Sequence, residues 1–241
     1  MKAVNVLLIA VVVVMFLMAQ ANAEAIFTEN FNVSAVGVLG ENPVSEIGNW
    51  YALAGSWSHD GNVLVATNNY NDVYVGGNLI YSYVSRDLDA AVENPLLTWK
   101  ATMQWGDDTS TTLRYTTRLV DDLGNGYQAD VVRNGEIMLY RLDAGEVTLL
   151  GTKTGYVGRT RTITFSVFQG VVEVATESGD QEFSYSVNDS TYTQFSRVDV
   201  GGWVASQQLK VDDVSLSTVP EPATIGLLLI GSIVGLARKT R

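Results

Sequence analysis

Between Glu24 and Val219 the chain never sustains apolar residues at helical spacing for three turns; it alternates instead. In Leu97–Trp105 the residues Leu97, Trp99, Ala101, Met103 and Trp105 fall on one face, and Thr98, Lys100, Thr102 and Gln104 on the other. Successive strand side chains point to opposite faces, so this run reads as a half-buried strand. Thr160–Phe168 alternates likewise, with Ile163, Phe165 and Val167 opposite Thr162, Thr164 and Ser166. A chain written in a period of two must bury one sheet face against another.

The turn residues agree. Asn134-Gly135 separates Gln128–Arg133 from Glu136–Leu142, and this pair favours the positive φ of a type I′ hairpin. Gln169-Gly170, Asp143-Ala-Gly145 and Leu123-Gly-Asn-Gly126 mark further turns. Other strands are predicted near Ile26–Phe31, Trp50–Leu53, Asn62–Thr67, Leu79–Ser85, Leu113–Val120, Glu146–Leu150, Val171–Thr176, Gln181–Val187, Val198–Val204 and Leu209–Ser217. Pro43 and Pro95 fall in predicted loops. The expected fold is all-β: an antiparallel two-sheet sandwich, with no internal repeat and no second-domain break.

The ends are different. Met1–Ala23 has Lys2, the apolar run Val6–Met18 and the small-x-small site Ala21-Asn22-Ala23, which reads as a secretory signal peptide. Its apolar run spans about 20 Å, short of a hydrocarbon core, so removal is expected instead of permanent anchorage. At the other end, Pro220-Glu221-Pro222 precedes the apolar run Ala223–Ala237 and the basic residues Arg238, Lys239 and Arg241. The prolines favour an extended backbone open to a processing enzyme, and the basic residues hold their end in the cytoplasm. The expected organisation is signal peptide 1–23, sandwich 24–219 and sorting signal 220–241, with a single hydrophobic helix spanning the membrane over 223–237.

The middle region holds 196 residues, enough for a full core without disulfides, and there is no cysteine. Four of the 15 basic residues and one of the 26 acidic ones leave with the ends, so the middle carries −14. A body of that charge repels a phosphate backbone instead of releasing its counterions, so nucleic acid is not an expected partner.

The tripartite C-terminus resembles the PEP-CTERM sorting signal of Gram-negative bacteria over Val219–Arg241. That resemblance implies recognition by an exosortase near Pro220-Glu221-Pro222, export through the secretion translocon, and transient inner-membrane anchorage by the C-terminal helix. It implies a final place at the outer surface or in the exopolysaccharide matrix. A second resemblance covers most of Ile26–Ser217: Phe27-Thr-Glu-Asn-Phe31, Trp57 with Asp60-Gly-Asn-Val-Leu64, the Leu97–Trp105 strand, the Gly126–Arg141 hairpin and Val211-Asp-Asp-Val-Ser-Leu216. These fragments resemble the concanavalin A-like lectin/glucanase jelly roll. A galactose-binding-like jelly roll shares the opening and closing strands and remains the alternative.

Chemistry has few places to sit. There is no cysteine, and the single His59, read as a solvated loop residue, would have to serve any nucleophilic triad or zinc site alone. Glycoside hydrolysis needs two carboxylates about 5–9.5 Å apart. Glucanases of the resembled fold carry theirs as Glu-x-Asp-x-Glu or Glu-x-Asp-x-x-Glu on one strand, and neither pattern occurs here. Glu177–Glu182 crosses a turn, Asp87 and Asp89 read as a strand end, and Asp107-Asp108 and Asp121-Asp122 sit beside turns, where aspartate bonds the backbone. The second resemblance also implies a structural calcium between the first and last strands, the matching positions being Glu29 and either Asp212 or Asp213, with Glu29 and Asp213 as the expected ligands. Tyr70, Tyr74, Tyr81 and Tyr83, interleaved with Asn68, Asn69, Asn71, Asp72 and Asn78, are candidate glycan-stacking residues, because a pyranose has an apolar face and a polar rim. The five tryptophans read as core, Trp99 and Trp105 above all.

The expected function is a non-catalytic, exported surface or matrix protein whose jelly roll binds exopolysaccharide or another glycan. The alternatives are a polysaccharide hydrolase or lyase, and a purely structural matrix protein.

Overall fold

The computed structural model describes residues 24–34, 37–67, 74–75, 78–79, 82–104, 114–132, 135–155, 160–178, 181–203 and 208–219. The expected signal peptide, the sorting motif Pro220-Glu221-Pro222 with its helix and basic end, and Tyr70, Tyr81 and Trp105 lie outside the described residues. Eighteen strands and one turn of 3-10 helix, Ser45–Ile47, make up the regular structure among the described residues. The first seven strands are short: β1 (Ala25–Glu29), β2 (Gly37–Leu39), β3 (Tyr51–Ala54), β4 (Trp57–His59), β5 (Leu64–Thr67), β6 (Tyr74–Val75) and β7 (Asn78–Leu79). Six longer ones follow: β8 (Ser82–Glu93), β9 (Pro95–Gln104), β10 (Arg114–Val120), β11 (Gly126–Val132), β12 (Glu136–Asp143) and β13 (Glu146–Thr154). The last five are β14 (Thr160–Phe168), β15 (Val171–Ser178), β16 (Gln181–Asn188), β17 (Gln194–Trp203) and β18 (Gln208–Thr218).

They form the expected antiparallel two-sheet sandwich. The nine-stranded sheet runs β16-β15-β14-β9-β18-β5-β4-β2, with β1 also on β18; the seven-stranded sheet runs β13-β12-β11-β10-β17-β8-β3. Among the described residues, β6 and β7 form a separate two-stranded sheet. The alternation read in the sequence becomes the core: Leu97, Trp99 and Ala101 of β9 and Ile163, Phe165 and Val167 of β14 face Tyr115, Leu119, Ala129, Val131, Val198 and Val200 of the other sheet. At the centre the Trp99 indole Nε1 donates to Thr117 Oγ1 at 2.7 Å, a hydrogen bond across the sandwich between two buried side chains. The same indole packs edge-on to Tyr115, ring centroids 6.3 Å apart. Trp50, Trp57 and Trp203 are buried as expected.

The hairpins follow their turn residues. Gln169 and Gly170 both adopt positive φ between the paired Phe168 and Val171, as do Ala144 and Gly145 between Asp143 and Glu146. Two-residue turns of this hand match the twist of the flanking strands.

Three local expectations change. His59 is not in a solvated loop; it ends β4 with its ring buried and Nε2 2.8 Å from Phe31 O. Trp57 and His59 share one side of that strand, and the turn at Asp60-Gly61 follows directly. Pro95 opens β9, a position where the missing N–H costs no ladder bond. Finally, β8 runs on through Asp87 and Asp89 to Glu93, so those carboxylates stand mid-strand.

The closing strand holds the main irregularity. Val211 and Val214 both point into the core, three residues apart, because the pairing of β18 with β9 slips between Asp212 and Ser215. Asp213 takes φ 48° there, and neither aspartate is buried. A bulge inserts one residue and resets the alternation, so both aspartates leave the core together.

One end of the sandwich is closed by a polar network. Tyr127 Oη donates to Asp189 Oδ1 at 2.7 Å, Arg141 Nη1 donates to Asp189 Oδ2 at 2.9 Å, and Arg141 Nε donates to Asp143 Oδ2 at 2.7 Å. Tyr192 Oη donates to Asp143 Oδ1, and its own N–H donates to Tyr127 Oη at 3.1 Å. Burial would raise the Asp189 carboxyl, but hydrogen bonds from Tyr127, Thr191 and Arg141 outweigh it and hold the group at about 2.

Two predictions follow from these contacts. Thr117→Val keeps the shape of the core and leaves the Trp99 N–H unpaired, so unfolding in urea should shift by about 1–3 kcal/mol with unchanged slope; an unmoved midpoint would show that the bond contributes nothing. Asp189 binds protons more readily unfolded, at its ordinary 3.8, than folded, at about 2. Its stabilisation is therefore complete above about pH 4 and lost as pH falls toward 2. Asp189→Asn should flatten the fall in melting temperature across that window, and an acid profile identical to the parent's would refute the assignment.

Candidate functional site

Strands of the seven-stranded sheet send one set of alternate side chains inward, and the other set forms an outer face. In β10 the inward set is Tyr115, Thr117 and Leu119, and the outward set is Arg114, Thr116 and Arg118. In β11, Tyr127, Ala129 and Val131 go inward, leaving Gln128 and Asp130 outside. Register aligns the outward residues in rows across the sheet. One row is Tyr140–Gln128–Arg118–Asp199–Ser85–Tyr51, and the next is Met138–Asp130–Thr116–Gly201–Tyr83.

Asp130 and Asp199 are fully buried although they belong to this outer face. A carboxylate withdrawn from water is tolerated only when it is paired and hydrogen-bonded. Asp130 accepts from Arg114 Nη1 at 3.0 Å, Thr116 Oγ1 at 2.9 Å and Gln128 Nε2 at 2.9 Å. Asp199 accepts from Ser85 Oγ at 2.7 Å and Arg197 Nε at 2.9 Å. Burial pushes the Asp130 carboxyl up, against the pull of Arg114. The two arginines stay partly open, their side chains 12% and 20% exposed.

Arg118 is held differently. Its Nε donates to Gln128 Oε1 at 2.7 Å, and its guanidinium lies 4.1 Å from the centroid of the Tyr83 ring. β17 lies between β10 and β8, and Gly201, the register partner of Tyr83, has no side chain to block that reach. A Cβ on Gly201 would overlap the main-chain oxygen of Ser82.

Two phenols on the same face hold their protons tightly. Burial, then the nearby Asp130, pushes Tyr140 up to about 12. Burial and the bond to Asp87 Oδ1, at 3.0 Å, do the same for Tyr51. Both are protonated at neutral pH and act as hydrogen-bond donors. The face can donate, accept and stack.

A separate groove of about 500 Å³ lies at the sandwich edge where β1 faces β8, lined by Glu24, Ile26, Phe27, Arg86, Asp89 and Glu93 among others.

Of the tyrosines proposed from sequence, Tyr74 lies in β6, and Tyr83 is on the outer face just described, 4% exposed beneath Arg118. Its ring is covered and presents no open stacking surface. The calcium pair does not converge. Glu29 lies on the same side of β1 as the buried Phe27; its Oε1 accepts from Phe31 N at 3.1 Å, and its charge faces Arg86. Asp213 stands on the opposite side of the sheet at the bulge, its carboxylate 3.6 Å from Lys100 Nζ. These two residues therefore do not fit a shared ion, and among the described residues no cluster of three metal-ligating side chains occurs. Asp121 does behave as a turn residue, its Oδ1 accepting from Leu123 N at 2.9 Å and Asn125 N at 2.8 Å.

Arg114, Arg118, Gln128, Asp130 and Asp199 were not among the residues singled out from sequence. Their signal is the two-residue spacing of polar side chains opposite Tyr115, Thr117, Leu119 and Tyr127, Ala129, Val131. That spacing identifies an outer face. It does not say which strands will stand side by side.

No protein-family profile and no curated protein sequence matches the chain. Solved structures do resemble it in shape. The carbohydrate-binding module CBM66 from Bacillus subtilis is 11% identical, with a TM-score of 0.52, covering 70% of this chain and 95% of its own. Winged bean acidic lectin, solved with methyl-α-D-galactose, is 10% identical with a TM-score of 0.53, covering 81% and 99%. The exoplasmic domain of VIP36 in its calcium-bound form is 9% identical with a TM-score of 0.55, covering 82% and 91%. At such identities the likeness is one of fold: the chain shares the antiparallel two-sheet sandwich of these proteins.

Proposed function

We propose that this chain is an exported, non-catalytic carbohydrate-binding protein whose receptor surface is the outer face of the seven-stranded sheet. The observation that carries the reading is the ordered polar carpet there: arginine, glutamine and threonine side chains held in register by two buried aspartates. Preorganised donors of this kind suit the hydroxyl rim of a sugar, since little ordering remains to be done on binding. The resemblance to a carbohydrate-binding module and to lectins supports the same assignment.

Binding without turnover is favoured over hydrolysis by the commitments of the acids. Asp130 and Asp199, the buried carboxylates of this face, are tied to arginines inside the sheet, and the exposed Asp87 beside them accepts from Tyr51 Oη at 3.0 Å. A retaining or inverting glycosidase needs one carboxyl free to pass a proton and a second facing the sugar. Lyase chemistry would need a base near neutral pH, and Tyr51 and Tyr140 are both held at about 12.

The test is a glycan array with the full-length chain in mild detergent, each bound glycan being checked afterwards for cleavage. Binding with intact glycans is expected. Cleavage would replace this reading by the hydrolase or lyase alternative, and silence on every glycan would favour a structural matrix protein.

The ends complete the proposal. Pro220-Glu221-Pro222, the apolar segment and Arg238, Lys239 and Arg241 support exosortase processing after export, and delivery to the surface or matrix of a Gram-negative bacterium. Pro222→Ala should leave an unprocessed, membrane-retained form visible as a larger band in the membrane fraction; normal processing of that variant would refute the sorting assignment.

A further inference from the structure

Resting on the carbohydrate-binding reading, we infer that the glycan is an acidic one, and that Arg118 receives its anionic substituent, a uronate carboxylate or a sulfate ester. Three arginines share the outer face of the seven-stranded sheet. Arg114 is paired with Asp130 at 3.0 Å and Arg197 with Asp199 at 2.9 Å. Arg118 has no such partner: among the described residues no carboxylate lies within ion-pair distance of it. Across the three central strands of this face the charges therefore sum to one cation, in a chain whose net charge is −11.

The remaining contacts of Arg118 orient it without neutralising it. Gln128 Oε1 takes the Nε proton at 2.7 Å, and Gln128 is itself held by donating to Asp130 Oδ1 at 2.9 Å. Tyr83 supports one face of the guanidinium. Nε is thus used and the plane is fixed, while the two terminal nitrogens have no acceptor among the described residues. A guanidinium so presented offers parallel N–H donors, the geometry that matches a carboxylate or sulfate. A neutral sugar hydroxyl would leave that charge uncompensated.

The position agrees. β10 is the fourth of seven strands, and Arg118 is flanked by Gln128 on one side and the Asp199–Ser85 pair on the other. Arg118 is partly exposed, whereas Gln128, Asp199, Ser85 and Tyr83 beside it are buried. The cation therefore stands at the solvent side of a fixed polar floor, where a substituent of a chain lying across the sheet would meet it.

The experiment measures binding of the full-length chain, in mild detergent, to polygalacturonate, to the same polymer with its carboxylates reduced to alcohols, and to a sulfated galactan with its desulfated counterpart. Each of the four is run on the parent and on Arg118→Gln and Arg118→Lys, and thermal melts report folding. At least one anionic polymer should bind about tenfold or more tighter than its neutral counterpart, the scale of one charge-assisted contact. Arg118→Gln should abolish that preference, and Arg118→Lys, which keeps the charge but not the planar fork, should fall between. Which polymer shows the preference identifies carboxylate or sulfate as the substituent. Equal binding of anionic and neutral polymers by the parent overturns the inference while leaving carbohydrate binding intact, and needs no variant to read. Retention of the full preference by a folded Arg118→Gln removes Arg118 from the assignment. If all four polymers and every neutral glycan go unbound, the underlying carbohydrate reading fails instead.

Discussion

Everything in this molecule depends on two apolar sheet faces staying in phase across one core. The Trp99–Thr117 hydrogen bond sits at the middle of that contact, where an indole N–H buried by β9 finds its acceptor on β10 of the other sheet. A large ring adds much buried apolar area, yet its polar atom must be satisfied or the gain is eroded. Phase is also protected by irregularity. The bulge at Asp212–Asp213 allows Val211 and Val214 to face the core without burying a carboxylate. A similar slip in the pairing of β17 with β8, between Phe195 and Arg197, sets Phe195 and Val198 inward together.

The outer face of the seven-stranded sheet shows the opposite economy. Asp130 and Asp199 contribute nothing to the apolar core, and each is expensive to bury. Their effect is to hold Arg114, Thr116, Gln128, Arg197 and Ser85 in one arrangement. A surface that needed only solubility would not have to fix its polar groups this way. A receptor for a polar ligand gains from it, because groups already fixed lose little freedom on binding.

Much of the fold was legible along the chain. Leu97–Trp105 and Thr160–Phe168 announced β9 and β14, since alternation is a local property of consecutive residues. Gln169-Gly170 and Ala144-Gly145 turn as read, because hairpin geometry depends on the φ of two residues. His59 was misplaced: its neighbours Asp60 and Gly61 are turn formers, and only the tertiary fold shows the Phe31 carbonyl that its ring meets. The Glu29–Asp213 pair failed for a similar reason. Strict alternation would have sent one aspartate inward, and the bulge that sends both outward is visible only in the pairing with β9.

The sequence by itself determined the period of the strands, the places where they reverse, the acidic charge of the body and the distinctive character of both ends. Those are short-range quantities, set by which side chains stand two or three residues apart. Tertiary structure alone decided that Arg118 lies between Gln128 and Asp199, that its guanidinium reaches Tyr83 past Gly201, and that Asp130 is sealed under Arg114. Tyr83 and Arg118 are 35 positions apart in the chain and Arg118 and Asp199 are 81 apart. No local pattern can rank such pairings. They are chosen by the packing of whole sheet faces, where one wrong neighbour would turn a row of apolar side chains out of the core.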